Sequence, residues 1–228
     1  ANKKLEMKVA VAYEGWKEIG NNRFELVNKI ACAGFEDAST FYKKKEAMIA
    51  REYNVDEIEM RILNGDGAAW IKHGIDDTVH YQLDPFHKHQ AVLRNVSDKG
   101  QRKTILELLG ENKIDDTLVY IEALANSVED EKEEKRLRDL YSYFNGNKYG
   151  LIPYQDRGLS IPLPPEGLVY RNLGTMEHHI CDIIAQRMKH RKASWSIKGA
   201  GNLGKLLAAK ASRRLHDVIE RFSRIVLP

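Results

Sequence analysis

Apolar and polar residues alternate over positions 5–13, so that Leu5, Met7, Val9, Val11 and Tyr13 share one face and predict a strand. Gly20-Asn21-Asn22 then marks a turn, and FELVNKIACAG over 24–34 predicts a second strand, broken by Gly34. The spacing over 35–53 is helical, with Asp37 or Ser39 suited to its cap. Alternation returns at Ile58, Met60 and Ile62 and runs into Asn64-Gly65-Asp66-Gly67, after which AAWIK predicts a short helix. Val79, Tyr81 and Leu83 define a further strand ending at Asp84, and Pro85 fits the first turn of a helix capped by that aspartate.

Beyond Pro85 the texture changes. Strand signals stop, and helical stretches follow at 101–110 and 117–127. The mixed-sign run over 129–139 reads as a solvated helix face and is assigned no function. A Pro/Gly-rich loop covers 151–167, and two helices are predicted near 174–192 and 202–224. The expected architecture is α/β. Residues 1–96 form the first part of a mixed sheet-and-helix core, 97–168 a helical insertion with its loop, and 169–228 the helices that complete the core.

Composition narrows the class of protein. At 228 residues and 43% hydrophobic, the chain can bury a substantial core. It contains no apolar run of about 18 residues, so no membrane span is expected. The opening residues carry no signal-peptide pattern, and Cys32 and Cys181 form no CxxC, which fits a reducing, cytoplasmic setting. The net charge of +3 conceals a division. From Arg187 onward eleven Lys and Arg stand against Asp217 and Glu220, a net of about +9, while the remainder is acidic. A polyanionic partner or a solvated helical surface would each explain that segment.

Several residues could carry chemistry. Asp66 ends a predicted strand between two glycines, where open α/β sheets place their sites, although a turn or an N-cap also explains it. Asp84 ends the next strand, and His87 follows in QLDPFHKH, where His87 and His89 are too close to share a helix face. Glu177 lies in the first turn predicted after Thr175, on the stripe of Ile180, Ile184 and Met188. A carboxylate on such a stripe needs a partner, and a cation or the helix dipole would serve. The trio of His178, His179 and Cys181 does not converge on one helix face and reads as structural. Arg187 and Arg191 stand one turn apart, and Arg191-Lys192-Ala193-Ser194-Trp195-Ser196 interleaves cations, hydroxyls and an aromatic ring in a manner suited to a nucleic-acid backbone. Lys198 and Lys205 extend that basic stretch, with Trp195 more readily explained as a packing anchor than as a ring stacked on a base. Gly199 to Gly204 satisfies GxGxxG but lacks a preceding buried strand and a correctly spaced acid, which argues against dinucleotide binding.

Taken together, NGDGAAWIK, LDPFH, the helical insertion and LGTMEHHICDIIAQRMKHRKASWSIKGAGNL resemble the bacterial DDE transposases of the ISLre-type insertion sequences, over nearly the whole chain. The resemblance implies a ribonuclease H-like core, Mg²⁺ or Mn²⁺ as cofactor, double-stranded DNA as partner and a homo-oligomer in the active assembly. It implies that Asp66 and Glu177 are the second and third metal-binding acids, with Asp84 and His87 in an adjacent motif. Arg187, Arg191, Lys192, Trp195, Lys198 and Lys205 would then lie along DNA. The family's first aspartate belongs on a strand before residue 5, so the chain is expected to be a C-terminal portion, inactive without that acid. The alternatives are a DNA-binding transposase remnant and a ribonuclease H-like nuclease.

Overall fold

The computed structural model describes residues 5–174, 181–188 and 194–225. It divides the chain into two compact units, one of residues 1–59, 163–171 and 175–228 and one of residues 60–162 and 172–174. Both mix helices with small sheets, so the fold class is α/β.

In the first unit, β1 (Lys8–Ala12), β2 (Gly15–Gly20), β3 (Arg23–Val27) and β4 (Ile30–Gly34) form two antiparallel ladders, β1 with β4 and β2 with β3. Asn21 and Asn22, with φ of 49° and 56°, make the tight turn. Paired left-handed residues at a hairpin tip match the right-handed twist of the strands they join. The strand predicted over 5–13 is β1, which ends at Ala12, and β2 is a separate strand that the alternation did not predict. The Trp16 N–H and C=O both bond Val169 and give β2 a short second partner.

Helix α1 (Ala38–Glu52) begins at Asp37, whose carboxylate accepts from the Thr40 N–H at 3.0 Å, and it buries Phe41 and Met48. Described residues near the predicted 174–192 helix are a π-helical turn, Cys181–Ala185, and α6 (Gln186–Met188). Ile183 and Ile184 from that turn pack with Ala31, Ala33 and Ala208, beneath Met7, Val9 and Val11 of the predicted strand face. Leu5, placed on that face by its spacing, is exposed.

The helix predicted over 202–224 is two helices, α7 (Ile197–Ala211) and α8 (Leu215–Ile225). The break falls where Ser212 meets a distant strand. Ser212 Oγ accepts from Ala31 N–H at 2.9 Å and bonds the Ala208 carbonyl, while Arg213 turns left-handed at φ 56°.

In the second unit, β5 (Arg61–Gly65) and β6 (Val79–Leu83) pair in parallel, from Arg61 opposite Val79 to Gly65 opposite Leu83. Turns occupy 66–78, where the sequence predicted a short helix. Helices α2 (Pro85–Asn95), α3 (Lys99–Gly110), α4 (Ile114–Ser127) and α5 (Glu131–Asn145) follow. Their apolar faces bury Val92, Ile105, Ile121, Leu140 and Phe144 around Leu83. The mixed-sign run does face solvent, with exposed Lys135–Asp139 and Arg138–Glu134 pairs on α5. Arg157 ties the Pro/Gly-rich loop to the sheet by donating to the Ile152 and Tyr81 carbonyls. Among the described residues, no helix is long and apolar enough to cross a membrane.

Candidate functional site

Parallel pairing of β5 and β6 sends both strands to the same C-terminal edge. Because Gly65 stands opposite Leu83, the next residues, Asp66 and Asp84, leave that edge together. The Asp84 N–H extends the ladder to the Gly65 carbonyl at 2.8 Å.

The two carboxylates then diverge. Asp84 is 1% exposed and caps α2, with Pro85 as the first helical residue. Its Oδ1 accepts from the Phe86 N–H at 2.9 Å, and its Oδ2 accepts from the Asn64 side-chain amide at 2.6 Å. Both oxygens are therefore committed within the fold. Asp66 is half-buried, and its Oδ1 accepts from the Ala68 N–H at 2.9 Å. That bond closes an Asx turn two residues on, in place of the predicted helix cap. Gly67 follows at φ 90°, a value that carries the chain away from right-handed helix.

Around Asp66 stand residues from α5 and just beyond it. The Tyr143 hydroxyl donates to the Asp66 carbonyl at 2.7 Å. Buried Asn147 donates to the Tyr143 carbonyl and accepts from the Tyr81 hydroxyl at 3.3 Å. Burial, followed by the negative charges of Asp66 and Asp84, pushes the Tyr143 hydroxyl up to about 12. Tyr81 is raised as well, by burial first and then by Tyr143 and the same two acids. Both phenols thus stay protonated as donors at neutral pH. Nothing local in the sequence points to Tyr143 or Asn147. Asn64 sits within the LNGDG stretch itself, where an amide just before the turn was a legible signal.

His87 occupies the first turn of α2, half-buried, with its ring edge-on to Phe86 at 5.4 Å between centroids. Among the described residues, no three His, Cys, Asp or Glu side chains converge as a metal cluster. Glu177, Arg191 and Lys192 lie outside the described residues.

In the basic segment, Arg187, Lys198 and Lys205 are exposed. Trp195 is 45% exposed, and its indole N–H donates to the Met188 carbonyl at 3.2 Å. The GxGxxG glycines lie inside α7 and do not form a loop before it. Ser196 caps that helix by accepting from the Gly199 N–H at 3.0 Å. Gly204 serves packing, since a Cβ there would stand 2.9 Å from Met7 Sδ and 3.6 Å from Ala33 Cβ.

Similar proteins place the chain in a group. It is 26% identical over 161 residues to the UPF0236 protein TTE2489 of Caldanaerobacter subterraneus subsp. tengcongensis, covering 69% of this chain and 32% of that protein. A second relative from the same organism is 26% identical over 198 residues, or 85% of this chain and 40% of its own length, and its name joins eleven designations from TTE0033 to TTE2212. The UPF0236 protein TTE0402 is 25% identical over 161 residues, 69% of this chain and 30% of its length. The chain thus spans between 30% and 40% of these relatives. No solved structure matches it. A family model described as "Uncharacterised protein family (UPF0236)" matches residues 1–220, and the chain belongs to that family.

Proposed function

We propose that the chain is part of a DDE-type transposase with a ribonuclease H-like core, which cleaves DNA and transfers strands at insertion-sequence ends. The observation that carries this reading is the placement of Asp66 and Asp84 at one edge of a parallel strand pair, the edge at which α/β sheets present their reactive groups. The order of antiparallel hairpin, helix and parallel strand supports it. So does the name of one relative, because eleven designations joined under one protein fit a sequence present in many copies.

The donor chemistry of this edge suits a hard divalent cation at one of the two acids. Asp66 offers a half-exposed carboxylate whose Oδ1 is held by the Ala68 N–H. Asp84, buried with both oxygens bonded, is a poor ligand and a good support for the Asp66 strand through Asn64. Asp66 and Glu177 would hold Mg²⁺ or Mn²⁺, which supplies an activated oxygen nucleophile and charge stabilisation at a phosphodiester. The chain's own part is to present the Asp66 carboxylate, keep Tyr143 and Tyr81 as neutral donors behind it, and offer Arg187, Arg191, Lys192, Trp195, Lys198 and Lys205 to the DNA backbone. His87 is an accessory group in the first turn of α2. The basic segment by itself also fits a DNA-binding protein that no longer cleaves.

The deciding experiment incubates the complete protein with its terminal DNA and Mg²⁺ or Mn²⁺. Metal-dependent cleavage is expected, falling at least about 100-fold in Asp66→Asn and Glu177→Gln while DNA binding persists. Binding without cleavage in the unaltered protein leaves the non-cleaving reading in its place.

A further inference from the structure

The strand end alone does not fix Asp66, because no helix follows it and residues 66–78 run in turns. Three contacts attach this stretch to the end of α5. The Tyr143 hydroxyl donates to the Asp66 carbonyl at 2.7 Å, and the Lys72 ammonium donates to the Gly146 carbonyl at 2.9 Å. Gly67 approaches so closely that a Cβ would stand 3.0 Å from the Tyr143 ring and 3.1 Å from the Asn147 amide. Asn147, 6% exposed, links Tyr143 to Tyr81, so that Asp66, Tyr143, Asn147 and Tyr81 form one connected network.

These bonds constrain the acid from two sides. Tyr143 fixes the peptide plane after Asp66, and the Ala68 N–H fixes the side chain through Oδ1. With both set, Oδ2 is held in one orientation without rearrangement on ligand binding. We infer that Tyr143 is a positioning residue for the Asp66 carboxylate, with Asn147 and Lys72 completing a clamp built by the helical layer. The inference rests on the reading of Asp66 as a metal-binding acid.

Two measurements on the 228-residue chain test it. Tyr143→Phe keeps the ring and removes only the hydroxyl. Amide hydrogen exchange over residues 66–72 is expected to quicken about two- to tenfold, with α2 to α4 unchanged, and affinity for Mn²⁺ alone to weaken by a similar factor. Lys72→Met is expected to quicken exchange over the same residues. Exchange that is unchanged there, or that quickens equally across α2 to α4, overturns the clamp. Local quickening with unaltered Mn²⁺ affinity overturns the positioning role, since the bond would then be a tether only. Asp66→Asn separates the two ideas: if it binds Mn²⁺ as the unaltered chain does, the functional reading fails, while the exchange result still decides whether Tyr143 holds the loop.

Discussion

Asp66 and Asp84 are the same residue type at equivalent strand ends, yet their surroundings give them different work. Asp84 is enclosed and shares its oxygens between the Phe86 N–H and the Asn64 amide. Replacing it removes a helix cap and leaves the half-buried Asn64 amide without that partner. Asp84→Ala is therefore expected to cost about 2–4 kcal/mol in urea unfolding. Asp66→Ala, which removes one short-range turn bond at a half-exposed position, should cost about 1 kcal/mol or less. A reversed order would show that Asp66 is the structural acid of the pair. The sequence made Asp84 legible because its cap is local, an aspartate followed at once by Pro85. At Asp66 it left a turn and a helix cap both open, and the structure has the turn: Gly67 turns left-handed and the carboxylate accepts from the Ala68 N–H instead of starting a helix. Tyr143 was illegible, being 77 positions away in a helix whose visible pattern is charge.

At the scale of elements, α7 shows how a phosphate-like motif can arise from packing alone. Ala200, Gly204 and Ala208 recur every four residues and are the buried residues of the helix. Gly204 meets Met7 and Ala33, and Gly201 meets the Phe35 ring at 3.6 Å, an ordinary contact distance. Opposite effects follow at two glycines of one motif. Gly204→Leu is expected to destabilise by about 1–3 kcal/mol, because the longer side chain must displace α7 from β4. Gly201→Ala should stabilise by roughly 0.5–1 kcal/mol, since alanine orders a helix interior at lower entropic cost. Thermal unfolding of both variants checks the pair, and equal destabilisation would refute the packing account. Periodicity located most elements here, but it could not divide the helix predicted over 202–224. That break depends on Ser212 meeting the Ala31 N–H, 181 positions earlier in the chain.

For the molecule as a whole, charge is divided along the sequence, with about +9 from Arg187 onward against an acidic remainder. Phosphate contacts release counterions, so under the proposed function DNA affinity should fall steeply with salt. Replacing Lys198 and Lys205 by Gln is expected to flatten the slope of log affinity against log salt by about 1.8, near 0.9 for each contact. Fluorescence anisotropy titrations of labelled duplex at several salt concentrations measure this, and an unchanged slope would place both lysines off the DNA path. Charge was countable from the sequence, whereas the network at the acid edge needed contacts between distant segments. That distance gives the network a place in time. During synthesis Asp66 emerges 77 residues ahead of Tyr143. At ribosomal speeds of about 5–20 residues per second, this leaves roughly 4–15 s in which the acid loop has no partner for its carbonyl. The growing chain thus carries its candidate reactive acid unset until α5 has been made, a built-in delay between translating the residue and arming it.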